Sequence, residues 1–182
     1  MQEAGYPLTD DVNGEQQEGF GKFDQTIHRA RRMSAARAYL RPIKNRKNLT
    51  ILTGAMVHKI LFEGKKAVGV EFKHKGKIKK EFGGEIISCG GAINSPTLLQ
   101  HSGVGNTDEL KKIGIDPVHH LPGVGENLQD HLEVYVQWRC KKPVSEYPSL
   151  NPWRAPFIGF NWLFRRKGPG ATNHFEAGGF IK

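Results

Sequence analysis

The sequence predicts an α/β fold, and three observations on its 182 residues support this. Short alternating runs separated by glycines predict a β-meander in the first half of the chain. An apolar run, a glycine pair and a helix start follow one another between Ile86 and Gly105. The chain also holds 22 glycines, which favour a fold with many tight turns and close backbone approaches over a helical bundle.

The central stretch, IISCGGAINSPTLLQHSGVG, is predicted to be a strand, a turn and a helix in succession. A buried strand is expected to end at Ile86 and Ile87, the chain to turn at Gly90 and Gly91, and a helix to begin at Pro96, with Ser95 as its N-cap. A helix N-terminus beyond the carboxyl end of a strand suits a phosphate or a polarised cofactor atom. The same pattern also occurs where glycines only let a helix pack on a strand, so the residues alone leave both interpretations open.

The elements before the central stretch are turns, a helix and the meander. Residues 1–24 are expected to form successive turns, and a short helix is predicted over Ser34–Leu40, ending before Pro42. The predicted strands of the meander are Leu49–Thr53, Val57–Phe62, Ala67–Lys73, Lys77–Phe82 and Glu85–Cys89.

The elements after the central stretch alternate between helices and strands. The predicted helices are Pro96–His101, Asp108–Ile113 with Thr107 as its cap, and Phe157–Phe164. Alternation predicts a strand over Leu132–Cys140, and Asn173–Lys182 is expected to begin another.

The net charge of +9 raises the question of a nucleic-acid partner. The charge is spread along the chain, and its densest segment, Lys73–Lys80, lies around the predicted hairpin turn at Gly76. Lysines on a hairpin commonly protect an exposed strand edge. Because no reader motif or aromatic platform accompanies them, we expect no nucleic-acid partner.

The cysteines and histidines indicate neither a disulfide framework nor a metal site. Cys89 and Cys140 are expected to be small buried apolar residues, and no His, Cys or carboxylate cluster has ligand spacing, so no metal is predicted. No apolar run reaches the length of a membrane span, and residues 1–20 lack the apolar core of a signal peptide.

Several long segments, in the same order, resemble one enzyme family. GGAINSPTLLQHSGVG (Gly90–Gly105) resembles the second signature of the glucose-methanol-choline (GMC) oxidoreductases, flavoenzymes that oxidise alcohols. PGVGENLQDH (Pro122–His131) is similar to the loop that follows it in the family. The segments Gly5–Gly21, Ser34–Leu40 and Asn173–Ile181 resemble the family members that oxidise choline. The similarity covers essentially the whole chain.

The resemblance implies a specific domain organisation. Residues 1–131 would be part of an α/β FAD-binding (Rossmann-like) domain with a β-meander, and residues 132–182 the start of an α+β substrate-binding domain. The family opens with a GxGxxG turn that holds the FAD pyrophosphate and ends with a His–Asn or His–His pair, and neither pattern occurs here. We therefore expect an incomplete fold, an internal piece of a longer protein that contains no catalytic residue.

The reaction implied by the resemblance is hydride transfer from the carbinol carbon of choline to FAD, which yields betaine aldehyde. Two alternatives stay open: a truncated product without activity, prone to aggregate because its sheet is incomplete, and a family member that oxidises another alcohol. The resemblance implies an inner mitochondrial membrane location in an animal, or membrane association in a bacterium. It leaves the electron acceptor undefined.

The resemblance also implies the roles of particular residues. Val57, Gly90, Gly91 and Ala92 match positions that contact FAD in the family; otherwise Val57 would be an ordinary core valine. Glu176, beside Phe175, matches a carboxylate that faces the trimethylammonium group of choline. A quaternary ammonium has no N–H to donate, so proteins hold it with aromatic faces and a nearby carboxylate. The alternative for Glu176 is an exposed or salt-bridged residue at a strand edge.

Overall fold

The computed structural model describes residues 2–142 and 144–181. The chain divides into two compact units. Unit 1 consists of Met1–Leu49 together with Val136–Lys182, and unit 2 is Thr50–Tyr135. Each unit contains its own β-sheets.

The regular elements of the described residues are short. The strands are β1 (Gly19–Lys22), β2 (Ile27–His28), β3 (Arg31–Arg32), β4 (Ala55–Glu63), β5 (Lys66–His74), β6 (Lys77–Phe82), β7 (Val104–Gly105), β8 (His119–His120) and β9 (Ala177–Phe180). The α-helices are α1 (Arg41–Ile43), α2 (Gly91–His101), α3 (Thr107–Lys112) and α4 (Ala155–Phe160). Two π-helical turns, Ala36–Leu40 and Asn161–Arg165, and 3-10 turns at Gln2–Ala4, Tyr147–Leu150, Pro152–Arg154 and Pro169–Ala171 complete the set.

The largest sheet of unit 2 is the antiparallel meander β4–β5–β6. Lys75 and Gly76 join β5 to β6 with positive φ values of 51° and 79°, the backbone of a tight hairpin turn that follows the twist of the strands. The strands predicted over Val57–Phe62, Ala67–Lys73 and Lys77–Phe82 are confirmed as β4, β5 and β6. They could be predicted because residues next to one another in sequence form the turn.

Helix α2 packs against β4 around a buried serine. Ser102, which follows α2, has no exposed surface. Its hydroxyl donates to the Leu98 carbonyl oxygen at 2.6 Å and accepts from the Ile60 N–H at 2.8 Å. The hydroxyl therefore joins the last turn of α2 to the middle of β4 at Ile60, whose side chain is buried.

A second small sheet of unit 2 pairs β7 with β8 in parallel, and α3 connects them. The predicted cap of this helix is wrong by one residue, because Asn106 is the N-cap and its side chain accepts from the Asp108 N–H at 3.1 Å. The hydroxyl of Thr107 instead contacts Nδ1 of His120 at 2.9 Å. This contact ties the start of α3 to β8.

Three predicted strands are wrong. Leu49–Thr53, Glu85–Cys89 and Leu132–Cys140 form no regular strand, and Ile87, which was expected to be buried, is 75% exposed. A strand needs a hydrogen-bonded neighbour, and among the described residues no strand pairs with these segments. An apolar or alternating pattern in the sequence indicates strand character, but it does not show whether a pairing strand will lie beside the segment. For the same reason Cys89 and Cys140, predicted to be buried, are exposed.

Unit 1 contains a ribbon formed by distant parts of the chain. Strands β1 and β9 run antiparallel, with Gly19 opposite Phe180 and Lys22 opposite Ala177. The strand expected within Asn173–Lys182 is thus confirmed over β9, whereas the expectation of turns alone in residues 1–24 is wrong at β1. A Cβ atom on Gly179 would lie 2.1 Å from the Gly19 carbonyl oxygen, so the two strands approach closely only because this position is glycine.

The two predicted helices of unit 1 form, with different ends. The helix expected over Ser34–Leu40 does not end before Pro42; the π-helical turn Ala36–Leu40 leads directly into α1. The Arg41 N–H donates to the Ala36 carbonyl oxygen, and this wider turn accommodates a proline that cannot donate. The helix predicted over Phe157–Phe164 is confirmed as α4 and its π-helical continuation.

Replacing Ser102 with alanine is expected to lower the free energy of unfolding by about 1–3 kcal/mol, because the Ile60 N–H would remain buried without an acceptor. Urea denaturation of Ser102→Ala and of the parent measures this difference. Thr53→Ala, which removes an exposed hydroxyl from the same unit, is the matched control and should change the value by less than about 0.5 kcal/mol. Equal effects of the two changes would contradict the structural role of Ser102.

Candidate functional site

The central stretch forms a longer helix than predicted. Helix α2 begins at Gly91, and Ser95 lies inside it rather than at its N-cap. The Ser95 hydroxyl instead accepts from the Gly90 N–H at 2.9 Å and from the Ser88 hydroxyl at 3.1 Å, which ties the irregular segment before the helix to its first turns. Pro96 is the sixth residue of the helix, where it cannot donate the i→i−4 hydrogen bond that another residue would supply.

One cleft of unit 2 lies between β4, the irregular segment 86–90 and α2, and we call it the β4–α2 cleft. It encloses about 630 Å³ and has a mainly apolar lining that includes Ile60, Ile86 and Leu98. Val57 and Gly90, which are far apart in sequence, both line it. Val57 is 39% exposed, so its side chain is open to the cleft and is not fully buried in a core.

Gly91 and Ala92 occupy the first turn of α2. Gly91 has a φ of +84°, a conformation that L side chains rarely adopt, and a Cβ atom there would meet nothing within 4 Å. The glycine is therefore required by the backbone angle, and the space beside it is free. The first N–H groups of an α-helix have no partner inside the helix, and together with the helix dipole they favour a negatively charged ligand.

Ala92 lines a second cleft of about 470 Å³, between α2 and the loop 123–126. Gln100 binds this loop: its Nε2 donates to the Val124 carbonyl oxygen at 3.1 Å. The loop comes close to the helix at Gly125, where φ is +87° and a Cβ atom would lie 2.7 Å from Gln100 Nε2. Sequence reasoning missed Gln100; the available signal was a long polar amide in the apolar second half of the helix.

Glu176 and Phe175 belong to unit 1, immediately before β9. Both are exposed, Phe175 at 71%. The Glu176 carbonyl oxygen accepts from the Phe23 N–H at 3.0 Å, which extends the pairing of β1 with β9. Among the described residues no cation lies within salt-bridge distance of the Glu176 carboxylate, so this side chain is available to a positively charged ligand.

The predicted residues therefore fall into two groups. Val57, Gly90, Gly91 and Ala92 lie in unit 2, where Val57 and Gly90 share one cleft and Ala92 borders another. Phe175 and Glu176 lie in unit 1.

A profile described as GMC oxidoreductase matches residues 1–133, and the chain belongs to the GMC oxidoreductase family. The predicted fold class, an α/β FAD-binding-type part of an incomplete fold, is confirmed by this match. The boundary expected after residue 131 stays a prediction.

A curated relative shares most of the sequence. The oxygen-dependent choline dehydrogenase of Staphylococcus xylosus is 58% identical over 180 residues, which are 99% of this chain and 32% of that protein. The chain thus spans about a third of the length of this relative.

Solved structures share the fold. A formate oxidase matches with a TM-score of 0.84 and 26% identity, over 98% of this chain and 31% of that one. The pyridoxine 4-oxidase of Mesorbium loti matches with a TM-score of 0.65 and 35% identity, over 69% of this chain and 25% of that one.

The expected mitochondrial location is wrong, because the similar choline dehydrogenases come from Staphylococcus species, which are bacteria. In residues 2–142 and 144–181, no helix has both the length and the apolar character that a membrane crossing requires.

Gly91→Ala is expected to destabilise the protein by about 1–2 kcal/mol, because alanine is strained at a positive φ even where space is free. Gly84→Ala is the matched control: its Cβ atom would also meet nothing within 4 Å, but its φ lies outside the positive region. Thermal unfolding of the two variants measures the difference. A loss of the same size in Gly84→Ala would show that the backbone angle of Gly91 is not the cause.

Proposed function

We propose that this chain is part of an FAD-dependent oxidoreductase that converts choline to betaine aldehyde. The observation that carries the proposal is the 58% identity with a choline dehydrogenase over 180 residues. FAD would supply the hydride acceptor, and the protein would supply position, desolvation and charge. Because one fold serves many substrates, the choice of choline depends on the site residues and not on the architecture.

We assign the cofactor to the clefts of unit 2. Val57 and Gly90 would line its binding surface, since they share the β4–α2 cleft. Gly91 and Ala92 would let the cofactor approach the backbone at the start of α2, where free N–H groups and the positive end of the helix dipole favour a polar or negatively charged atom. The chain has no GxGxxG turn, so we assign it only part of the FAD site.

We assign the cationic end of choline to Glu176 and Phe175. The carboxylate of Glu176 has no cation paired with it among the described residues, and Coulomb attraction to a carboxylate is one of the means by which proteins hold a trimethylammonium group. The exposed ring of Phe175 offers an aromatic face beside it. We assign no general base to this chain; its contribution is to bind and orient the alcohol.

Glu176→Gln in the full-length enzyme is expected to raise the KM for choline by about tenfold or more, because the carboxylate charge is lost while the shape is kept. The KM for 3,3-dimethylbutan-1-ol, a neutral alcohol of the same shape as choline, should change little. Steady-state dye reduction measures both. Glu15→Gln, a change at an exposed carboxylate of the same unit, is the control and should leave both values unchanged.

An unchanged KM for choline in Glu176→Gln would remove Glu176 from the site. Oxidation of another alcohol by the parent enzyme, without oxidation of choline, would instead favour the alternative of a family member with a different substrate.

The purified 182-residue chain is expected to show no visible absorbance from bound flavin, because it has no GxGxxG turn to hold the FAD pyrophosphate. The full-length protein should be yellow, because it would add the missing phosphate-binding turn. Absorbance spectra before and after denaturation measure bound FAD in both. Bound flavin in the 182-residue chain would contradict the alternative of an inactive truncated product.

A further inference from the structure

One side chain, Gln25, connects the N-terminal part of unit 1 to the segment that precedes Glu176. Its Nε2 donates to the Phe175 carbonyl oxygen at 3.1 Å, across 150 residues of sequence. The same nitrogen lies 3.5 Å from the Thr172 hydroxyl. Gln25 is half-buried; its contact with Thr172 is partly shielded from water, whereas its bond to the Phe175 carbonyl oxygen is exposed.

The segment 172–176 has an irregular backbone. His174 has a φ of +66°, which is unfavourable for a residue with a side chain. Local bonds shape the turn: the Thr172 hydroxyl accepts from the His174 N–H and the Asn173 side chain accepts from the Phe175 N–H, both at 3.1 Å. These bonds define the turn but do not anchor it to the rest of the unit.

Anchoring contacts come from three places. The His174 ring is paired with the Glu146 carboxylate, the Phe23 N–H donates to the Glu176 carbonyl oxygen at 3.0 Å, and Gln25 holds the carbonyl oxygen of Phe175. Among the described residues, Gln25 supplies the side-chain hydrogen bond to the peptide group between Phe175 and Glu176, at the Phe175 carbonyl oxygen. Together with the Phe23 N–H, which holds the next peptide unit, this bond restricts the direction in which the Glu176 Cα–Cβ bond leaves the backbone.

We propose that Gln25 is a positioning residue for substrate binding, which aims the Glu176 carboxylate at the quaternary ammonium group of choline. The inference rests on the proposed function. Because no cation of the described chain holds the carboxylate, the region that it can reach is set by its backbone position together with its own side-chain rotamers. Coulomb attraction weakens with distance, so a carboxylate that is less well placed binds the cation less tightly.

The test compares Gln25→Leu with the parent in the full-length enzyme. Leucine has a similar size and cannot donate, so the KM for choline should rise about threefold, less than in Glu176→Gln, while kcat stays within about twofold, the pattern of lost uniform binding. The KM for 3,3-dimethylbutan-1-ol should stay unchanged, since this neutral alcohol has no charge for Glu176 to meet. Gln25→Asn keeps the amide on a shorter side chain and should show a smaller rise.

The control and a second measurement separate positioning from general damage. Gln17→Leu changes an exposed glutamine of the same unit and should leave all constants unchanged. Hydrogen exchange of the 172–176 amides should become faster in Gln25→Leu and not in Gln17→Leu.

Each result has a distinct meaning. If the parent does not oxidise choline, the proposed function fails, and this role of Gln25 fails with it. If the parent oxidises choline while Gln25→Leu keeps its KM and its exchange rates, only the inference is overturned. A parallel rise of KM for choline and for the neutral alcohol would show a general structural role and would also overturn it. If Gln25→Leu does not fold, Gln25→Asn decides by the same criteria.

Discussion

The hydroxyl of Ser102 is the contact on which unit 2 depends. It bonds at the same time to the last turn of α2 and to the backbone of β4, in a place that no water reaches. The β4–α2 cleft exists because these two elements are held side by side, and the second cleft exists because Gln100, on the same helix, holds the loop at Val124. One small polar side chain thus sets the position of the helix that borders both clefts.

In unit 1, too, polar side chains hold separate parts of the chain together. A ribbon of two distant strands provides the frame, and side-chain amide and carboxylate groups fix the irregular segment beside it. Phe175 and Glu176 follow directly from that segment, so their placement depends on residues near the start of the chain. In both units most of the candidate binding residues lie at the ends of regular elements: Gly90, Gly91 and Ala92 at the start of α2, and Phe175 and Glu176 just before β9.

The predicted elements that were confirmed depend on neighbours in sequence. The strands β4, β5 and β6 follow one another through tight turns, and glycine at positions 64 and 76 supplies the positive φ that these turns need. The wrong strands, such as Glu85–Cys89, lacked a partner, and a partner cannot be read from an apolar pattern. The helix start was also wrong, because the hydroxyl of Ser95 bonds to Gly90 instead of capping a helix at Pro96.

By itself, the sequence determined the family, the meander and the identities of the candidate residues, because long ordered motifs and local turn residues carry that information. Tertiary structure alone decided that Val57 and Gly90 share a cleft, that Ser102 joins α2 to β4 and that Gln25 holds Phe175. Each of these facts is a contact between residues far apart in the chain. Such contacts depend on how whole elements pack, so no local pattern of residue types could specify them.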